Sequence, residues 1–143
     1  MKRLISVLLI LILFTLPAAV EQNVTEKVVE EYKKQLPIGK VVNYTTETDP
    51  NDLLGRPGQY IDKLSWEDKR IEQSEDDLKG GTIELFDSKE NLNKREKYLK
   101  QFVESPMFAQ YMYVHDLVIV RIDKELTPDQ AEEYNTILEN IKK

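Results

Sequence analysis

The strongest structural pattern in this chain is AQYMYVHDLVIVRI, residues 109–122. Residues 109–114 and 117–122 are rich in β-branched and aromatic side chains, and His115-Asp116 lies between them. Such a pattern predicts two strands joined by a tight turn. Both sides of the second strand are largely apolar, which favours a central strand covered on at least part of both faces.

A helix is predicted directly after these strands. Thr127 is placed to cap it, Pro128 suits its first position, and Gln130 completes a capping box. The apolar residues that follow recur at helical spacing and predict a buried stripe of Tyr134, Ile137, Leu138 and Ile141.

A second helix is predicted before the strands, beginning at Asp87 or Ser88 and ending at Ser105-Pro106. Its apolar stripe comprises Leu92, Leu99, Phe102 and Val103, with Tyr98 at the edge. Four basic residues are predicted to form its outer, solvated face: Lys94, Arg95, Lys97 and Lys100.

Two further strands are predicted at residues 60–67 and 82–86, on either side of a charged loop that ends at Gly80-Gly81. Residues 41–44 form a weaker candidate for a short strand. Hairpins followed by helices favour an α+β fold. We expect an antiparallel sheet of about four strands with helices mainly on one face, in the order α-ββα-ββα.

The N-terminus has the layout of a secretory signal. Lys2 and Arg3 precede an apolar run, residues 4–16, and Pro17 is followed by two alanines. Cleavage after Ala19 would place Pro17 at a position that prefers a small residue, so an uncleaved N-terminal anchor is the alternative.

These patterns divide the chain into three parts. Residues 1–19 are predicted to be a signal peptide or signal anchor, and residues 20–36 an amphipathic helix or linker. Residues 37–143 are predicted to form a single α+β domain.

Composition excludes several classes of function. The 143 residues include no cysteine and one histidine, which rules out a disulfide scaffold, a thiolate zinc site and a cysteine nucleophile. Removing Lys2 and Arg3 from the 20 basic residues leaves 18 against 26 acidic ones, a net charge of −8. Such a chain is a poor nucleic-acid binder, and it would contact membranes only through an uncleaved N-terminal anchor.

No catalytic or metal-binding motif emerges. The only histidine, His115, is predicted to be a solvated turn residue, so a Ser–His–Asp site is not indicated. Asp49-Pro50-Asn51-Asp52 resembles the start of a calcium loop, but Leu53 and Leu54 stand where that loop needs a polar residue and glycine. The sequence predicts no catalytic residues, no metal site and no cofactor.

The segment DPNDLLGRPGQY, residues 49–60, combines a turn at Pro57-Gly58 with side chains suited to recognition. One interpretation is a recognition loop. The other is a structural loop that wraps the sheet edge, with Arg56 paired to a local acid. As a recognition surface it would use Asp49, Asn51, Arg56, Gln59 and Tyr60, with Trp66 nearby.

The chain resembles a family of small exported proteins and lipoproteins of Gram-positive bacteria whose function is uncharacterised. The resemblance covers about residues 36–135 and rests on LPIGKVVNYTTETDPNDLLGRPGQY, GGTIELF and YMYVHDLVIVRIDKELTPDQAEEY, with LLGRPGQY the most specific element. Members often carry a lipobox cysteine, which this chain lacks. The resemblance implies a secreted or envelope location, or the outer face of the cytoplasmic membrane, and implies no activity.

Three functions follow as hypotheses. The first is a non-enzymatic exported module that binds a protein or another envelope component. The second is a carboxylate-dependent hydrolase of cell-wall polymer, which requires two acids in a cleft, one with a raised pKa. The third is a structural or accessory subunit with an apolar patch that is covered by a partner or by the chain itself.

Overall fold

A five-stranded antiparallel sheet runs through the centre of the computed structural model, which describes residues 23–141. The sheet order is β1-β2-β3-β5-β4. In chain order the elements are α1 (Val24–Gln35), β1 (Ile38–Asn43), β2 (Asp62–Asp68), β3 (Gly80–Leu85), α2 (Lys89–Val103), β4 (Gln110–His115), β5 (Val118–Asp123) and α3 (Pro128–Asn140). The α+β class and the antiparallel sheet are confirmed.

The sheet has five strands where about four were expected, and the order is α-βββα-ββα. The additional strand is β1, which pairs with β2 at the sheet edge, with Val42 opposite Ser65. Its pairing shifts register between Ile38 and Val41, around Gly39 and Lys40. Apolar alternation is weak in this segment because an edge strand can be held mainly by backbone pairing to one neighbour.

Helices cover both faces of the sheet: α1 and α3 pack on one face, and α2 packs on the other. Successive strand residues point to opposite faces. In β5, Val118, Val120 and Ile122 pack with α1 and α3, whereas Ile119 packs with α2 and the loop before β2. We call the first side the aromatic face and the second the charged face. The prediction that β5 is a central strand is confirmed.

The aromatic face is built around three fully buried rings, Tyr32, Trp66 and Tyr134. The centroid of Tyr32 lies 5.3 Å from that of Trp66 and 4.9 Å from that of Tyr134. Because Tyr32 belongs to α1, the segment predicted as an N-terminal helix or linker packs into the core of the domain. The start of α1 is also tied to β2, since Asn23 and Thr25 both donate hydrogen bonds to Asp62.

The predicted helix starts are well reproduced. Thr127 and Gln130 form the capping box of α3, with the Thr127 side chain accepting from the Gln130 amide. At α2, the Ser88 side chain accepts from the amide of Asn91. Leu92 and Leu99 are buried as expected, but Phe102 retains 39% exposure.

Gly80-Gly81 has a packing role besides ending the charged loop. A Cβ on Gly81 would clash with the indole of Trp66, and one on Gly80 would clash with the β2 backbone. The two glycines let β3 approach β2 closely. The loop before them is anchored by Gln73, whose side-chain amide donates to the carbonyl of Lys79 at 2.7 Å.

The segment predicted as a signal, residues 1–19, lies outside the described residues. Among residues 23–141, no helix is long and apolar enough to cross a membrane.

Candidate functional site

Three charged side chains cross the charged face from strand to strand: Lys63 on β2, Glu84 on β3 and Arg121 on β5. Lys63 lies directly opposite Glu84 in the sheet register. The Glu84 side chain is fully buried, and those of Lys63 and Arg121 retain 5% and 16% exposure. Charges buried to this degree require partners, which come from the segments that cover this face.

Asp49 is the partner of Lys63. Its Oδ1 lies 2.7 Å from Lys63 Nζ, and its Oδ2 accepts from the Tyr60 hydroxyl at 2.6 Å and from the amides of Leu53 and Leu54 at 3.0 Å. Burial alone would raise the pKa of Asp49. The hydrogen bonds from Lys63, Tyr60 and the two amides outweigh burial and hold this pKa well below its usual range.

Arg95 of α2 and Arg121 share the carboxylate of Glu84. Arg95 binds it in bidentate fashion, with Nε at 3.1 Å from Oε2 and Nη2 at 2.9 Å from Oε1, and Arg121 Nη2 lies 2.9 Å from Oε1. Burial opposes the charge of Arg95, but the hydrogen bonds to Glu84 prevail and raise its pKa. Arg95 also stacks at 5.4 Å from the ring of Tyr60.

The ion pairs on the charged face join three cations, Lys63, Arg95 and Arg121, to two carboxylates. Asp49 balances Lys63, while Glu84 balances only one of its two arginines. Within residues 23–141, Glu84 is the only acid in a salt bridge with Arg95 or Arg121. The buried Nε of Arg121 also has no hydrogen-bond partner among the described residues.

Both arginines line a cleft of about 860 Å³, bounded by α2, the connection 104–109 and the end of β5. Four large apolar side chains at this cleft are exposed: Tyr98 (52%), Phe102 (39%), Met107 (74%) and Phe108 (57%). The three aromatic rings are in contact through Phe102. Its ring centroid lies 5.0 Å from that of Tyr98 and 6.4 Å from that of Phe108. The cleft thus combines apolar surface with guanidinium groups.

The lining of the cleft also includes polar and charged residues. Lys124 donates to the backbone carbonyls of Pro106 and Met107 at 3.2 and 3.5 Å, and so holds the connection 104–109. The acidic side chains that line the cleft are Asp77, Asp123 and Glu125. Glu125 is paired with Lys79 at 2.9 Å.

The structure brings together three of the six predicted site residues. Asp49 and Tyr60 are buried and hydrogen-bonded to each other, and the exposed Asn51 lies at their side and lines the cleft. Leu53, from the same segment, also lines the cleft. The segment 49–60 therefore contributes to one wall of the cleft, while Asp49 anchors this segment to β2 through Lys63.

The other three predicted residues lie elsewhere. Arg56 is exposed and paired with Asp52, and the Gln59 amide donates to the Arg56 carbonyl at 3.0 Å in the expected turn, with Gly58 at φ +78°. Trp66 is fully buried on the aromatic face, so it presents no surface to a ligand.

Sequence reasoning missed Glu84, Arg95 and Arg121. Arg95 was expected on the outer face of α2, but it points toward the sheet. A signal was present, because Arg95 lies three residues after Leu92 and four before Leu99, on the same helical face. Arg121 also gave a signal, because it lies in the strand predicted to be covered on part of both faces. Glu84 gave none, since a charged residue between apolar ones along a strand is typical of a solvated side.

His115 is the last residue of β4, with its Nε2 at 3.5 Å from Asp116 Oδ2. No group of three or more acidic or histidine side chains within residues 23–141 is arranged to hold a metal ion.

No family model, curated protein or solved structure matches this chain. The resemblance to exported proteins of Gram-positive bacteria therefore stays a prediction from the sequence.

Proposed function

We propose that this chain is an exported binding module of the cell envelope or extracellular space, whose ligand occupies the cleft beside α2. The observation that carries the proposal is the convergence of exposed apolar side chains with two arginines, Arg95 buried and Arg121 partly exposed, that share the single carboxylate of Glu84. The predicted export signal, residues 1–19, supports the location.

Exposed apolar clusters of this kind are unusual on a protein surface unless something covers them. Single exposed apolar residues are common, but contiguous patches mark binding sites. Tyr98 and Phe102 are fixed by α2, and Phe108 is held against them. Apolar side chains around a few well-placed polar groups are typical of ligand pockets.

The hydrolase hypothesis gains no support from the carboxylates whose pKa values are shifted. Asp49 and Asp68 both have lowered pKa values, although burial opposes this, because each accepts several hydrogen bonds. A general acid of the glycosidase type requires the opposite shift. The accessory-subunit hypothesis is the second candidate, because a partner protein could also cover Tyr98, Phe102 and Phe108.

The test is comparative capture. The full chain with a C-terminal tag is expressed in a Gram-positive host and purified from the medium and from the envelope fraction. Captured proteins and small molecules are identified by mass spectrometry. The variant Phe102→Ala/Phe108→Ala removes exposed rings and should keep the fold, and Lys97→Gln, on the exposed side of α2, is the control.

A ligand held by the wild type and by the control, but lost from the double variant, supports the proposal. Recovery of the chain in the cytoplasm alone contradicts the exported location. A captured set that is identical for all three proteins contradicts the cleft as the binding site. A captured protein of fixed stoichiometry that requires the two rings favours the accessory subunit instead.

A further inference from the structure

Two guanidinium groups share the single carboxylate of Glu84, and this arrangement indicates the sign of the ligand. A buried cation without a full counter-charge is costly, and an anion that reaches it removes that cost. The Arg121 side chain is the more accessible of the two, with 16% exposure against 7% for that of Arg95. Within residues 23–141, Nη2 is the only nitrogen of the Arg121 guanidinium with a hydrogen-bond partner. Since Nε is buried, Nη1 is the unused donor that remains for a carboxylate or phosphate.

The apolar rim indicates the rest of the ligand. Tyr98, Phe102, Met107 and Phe108 lie in the same cleft as Arg121, so one molecule can contact both. The volume of about 860 Å³ falls within the range of small-molecule pockets. The cleft also contains Asp77, Asp123 and Glu125, which disfavour a second anionic group.

We infer that the cleft binds a small amphiphile with a single carboxylate or phosphate head group, held by Arg121, and an apolar chain that covers the rings of α2 and Phe108. This inference rests on the proposed binding function and specifies its ligand class.

The experiment is calorimetric titration of the full chain with four probes below their micellar concentrations: decanoate, decyl phosphate, decanol and decyltrimethylammonium. The two anions share the head-group chemistry, and comparing them distinguishes a fatty-acid-like source from a phosphate ester. At least one anion should bind about tenfold or more tightly than decanol, with the cation weakest of all.

Arg121→Gln should abolish the preference for the anion over decanol. The fold should survive, because Arg95 alone makes a bidentate pair with Glu84. Phe108→Ala should weaken all bound probes together, whereas Lys97→Gln, which removes a positive charge away from the cleft, should leave every affinity unchanged. Thermal melts monitored by circular dichroism check that each variant is folded.

Equal affinity for decanol and the anions, unchanged anion binding by Arg121→Gln, or no binding of any probe overturns the inference. If Arg121→Gln does not fold, the inference is still tested by the relative affinities of the four probes for the wild type and for Phe108→Ala. If the wild type shows no preference for the anions over decanol, but capture of a ligand still requires Phe102 and Phe108, only the inferred ligand class is refuted. If no captured ligand depends on Phe102 and Phe108, the proposed function itself is refuted.

Discussion

The two faces of the sheet are buried by different chemistry. On the aromatic face, Tyr32, Trp66 and Tyr134 pack ring against ring, and such side chains each contribute about 1.5–3 kcal/mol through apolar burial. On the charged face the central strands present Lys63, Glu84 and Arg121, whose pairing offsets the cost of removing them from water without a large net gain. The rings of the aromatic face therefore add more net stability than the ion pairs of the charged face, and those ion pairs place two guanidinium groups beside a cleft.

The largest effect is expected from Glu84→Gln. This change leaves Arg95 and Arg121 buried without a counter-charge, and it should lower the free energy of unfolding by about 3–5 kcal/mol. Urea denaturation of the full chain measures it. Glu90→Gln, in an exposed pair with Lys94, should change the same quantity by at most about 1 kcal/mol. Similar losses for the two variants would mean that the buried pairing of Glu84 with Arg95 and Arg121 matters no more for stability than an exposed ion pair.

Asp49→Asn should reveal the acid sensitivity of the charged face. Because the pKa of Asp49 is lowered on folding, its contribution is fully present above the unfolded pKa of about 3.9 and is lost as pH falls. At neutral pH the variant leaves Lys63 unpaired and should cost about 3 kcal/mol.

The difference in unfolding free energy between wild type and Asp49→Asn should therefore shrink steadily below about pH 4. Urea denaturation at a series of pH values from 7 down to 2 measures this difference. A difference that stays constant over that interval would contradict the assigned ionisation of Asp49.

Two tyrosines sharpen the description of the aromatic face. The Tyr134 hydroxyl donates to Asp68 at 2.7 Å and accepts from Trp66, so Tyr134→Phe should cost about 1–3 kcal/mol. The Tyr32 hydroxyl is buried without a hydrogen-bond partner among the described residues. Tyr32→Phe should therefore be neutral or stabilising by about 0.5 kcal/mol. Thermal denaturation of both variants tests the contrast, and equal destabilisation would refute it.

The smallest effect is expected from Arg56→Ala. Arg56 and Asp52 are both exposed, and such pairs contribute little because water screens them. The change in unfolding free energy should stay within about 0.5 kcal/mol. A loss comparable to that of Asp49→Asn, measured on the same loop, would show that the outer turn supports the charged face.

Much of the aromatic face could be predicted from the sequence. The apolar run of residues 117–122 and the capping box at Thr127 both correspond to observed elements. The helical stripe that includes Tyr134 also packs as expected. These features depend on local periodicity and capping, which a sequence displays directly.

The charged face could not be predicted in the same way. Lys63 and Glu84 have the pattern of solvated residues until the loop 44–60 and α2 are placed over them. Their burial depends on contacts between distant parts of the chain, such as Asp49 with Lys63. For the same reason the predicted recognition loop contained Asp49 and Asn51 but not the arginines that line the cleft.

The most direct test of the functional difference between the faces is an amide NMR titration of the full chain with decanoate. Binding at the cleft predicts chemical-shift changes concentrated in residues 98–109 and at Arg121, with little change in α1 at residues 24–35. Changes concentrated in α1 and α3, or spread evenly over both faces, would contradict the assignment of ligand binding to the charged face.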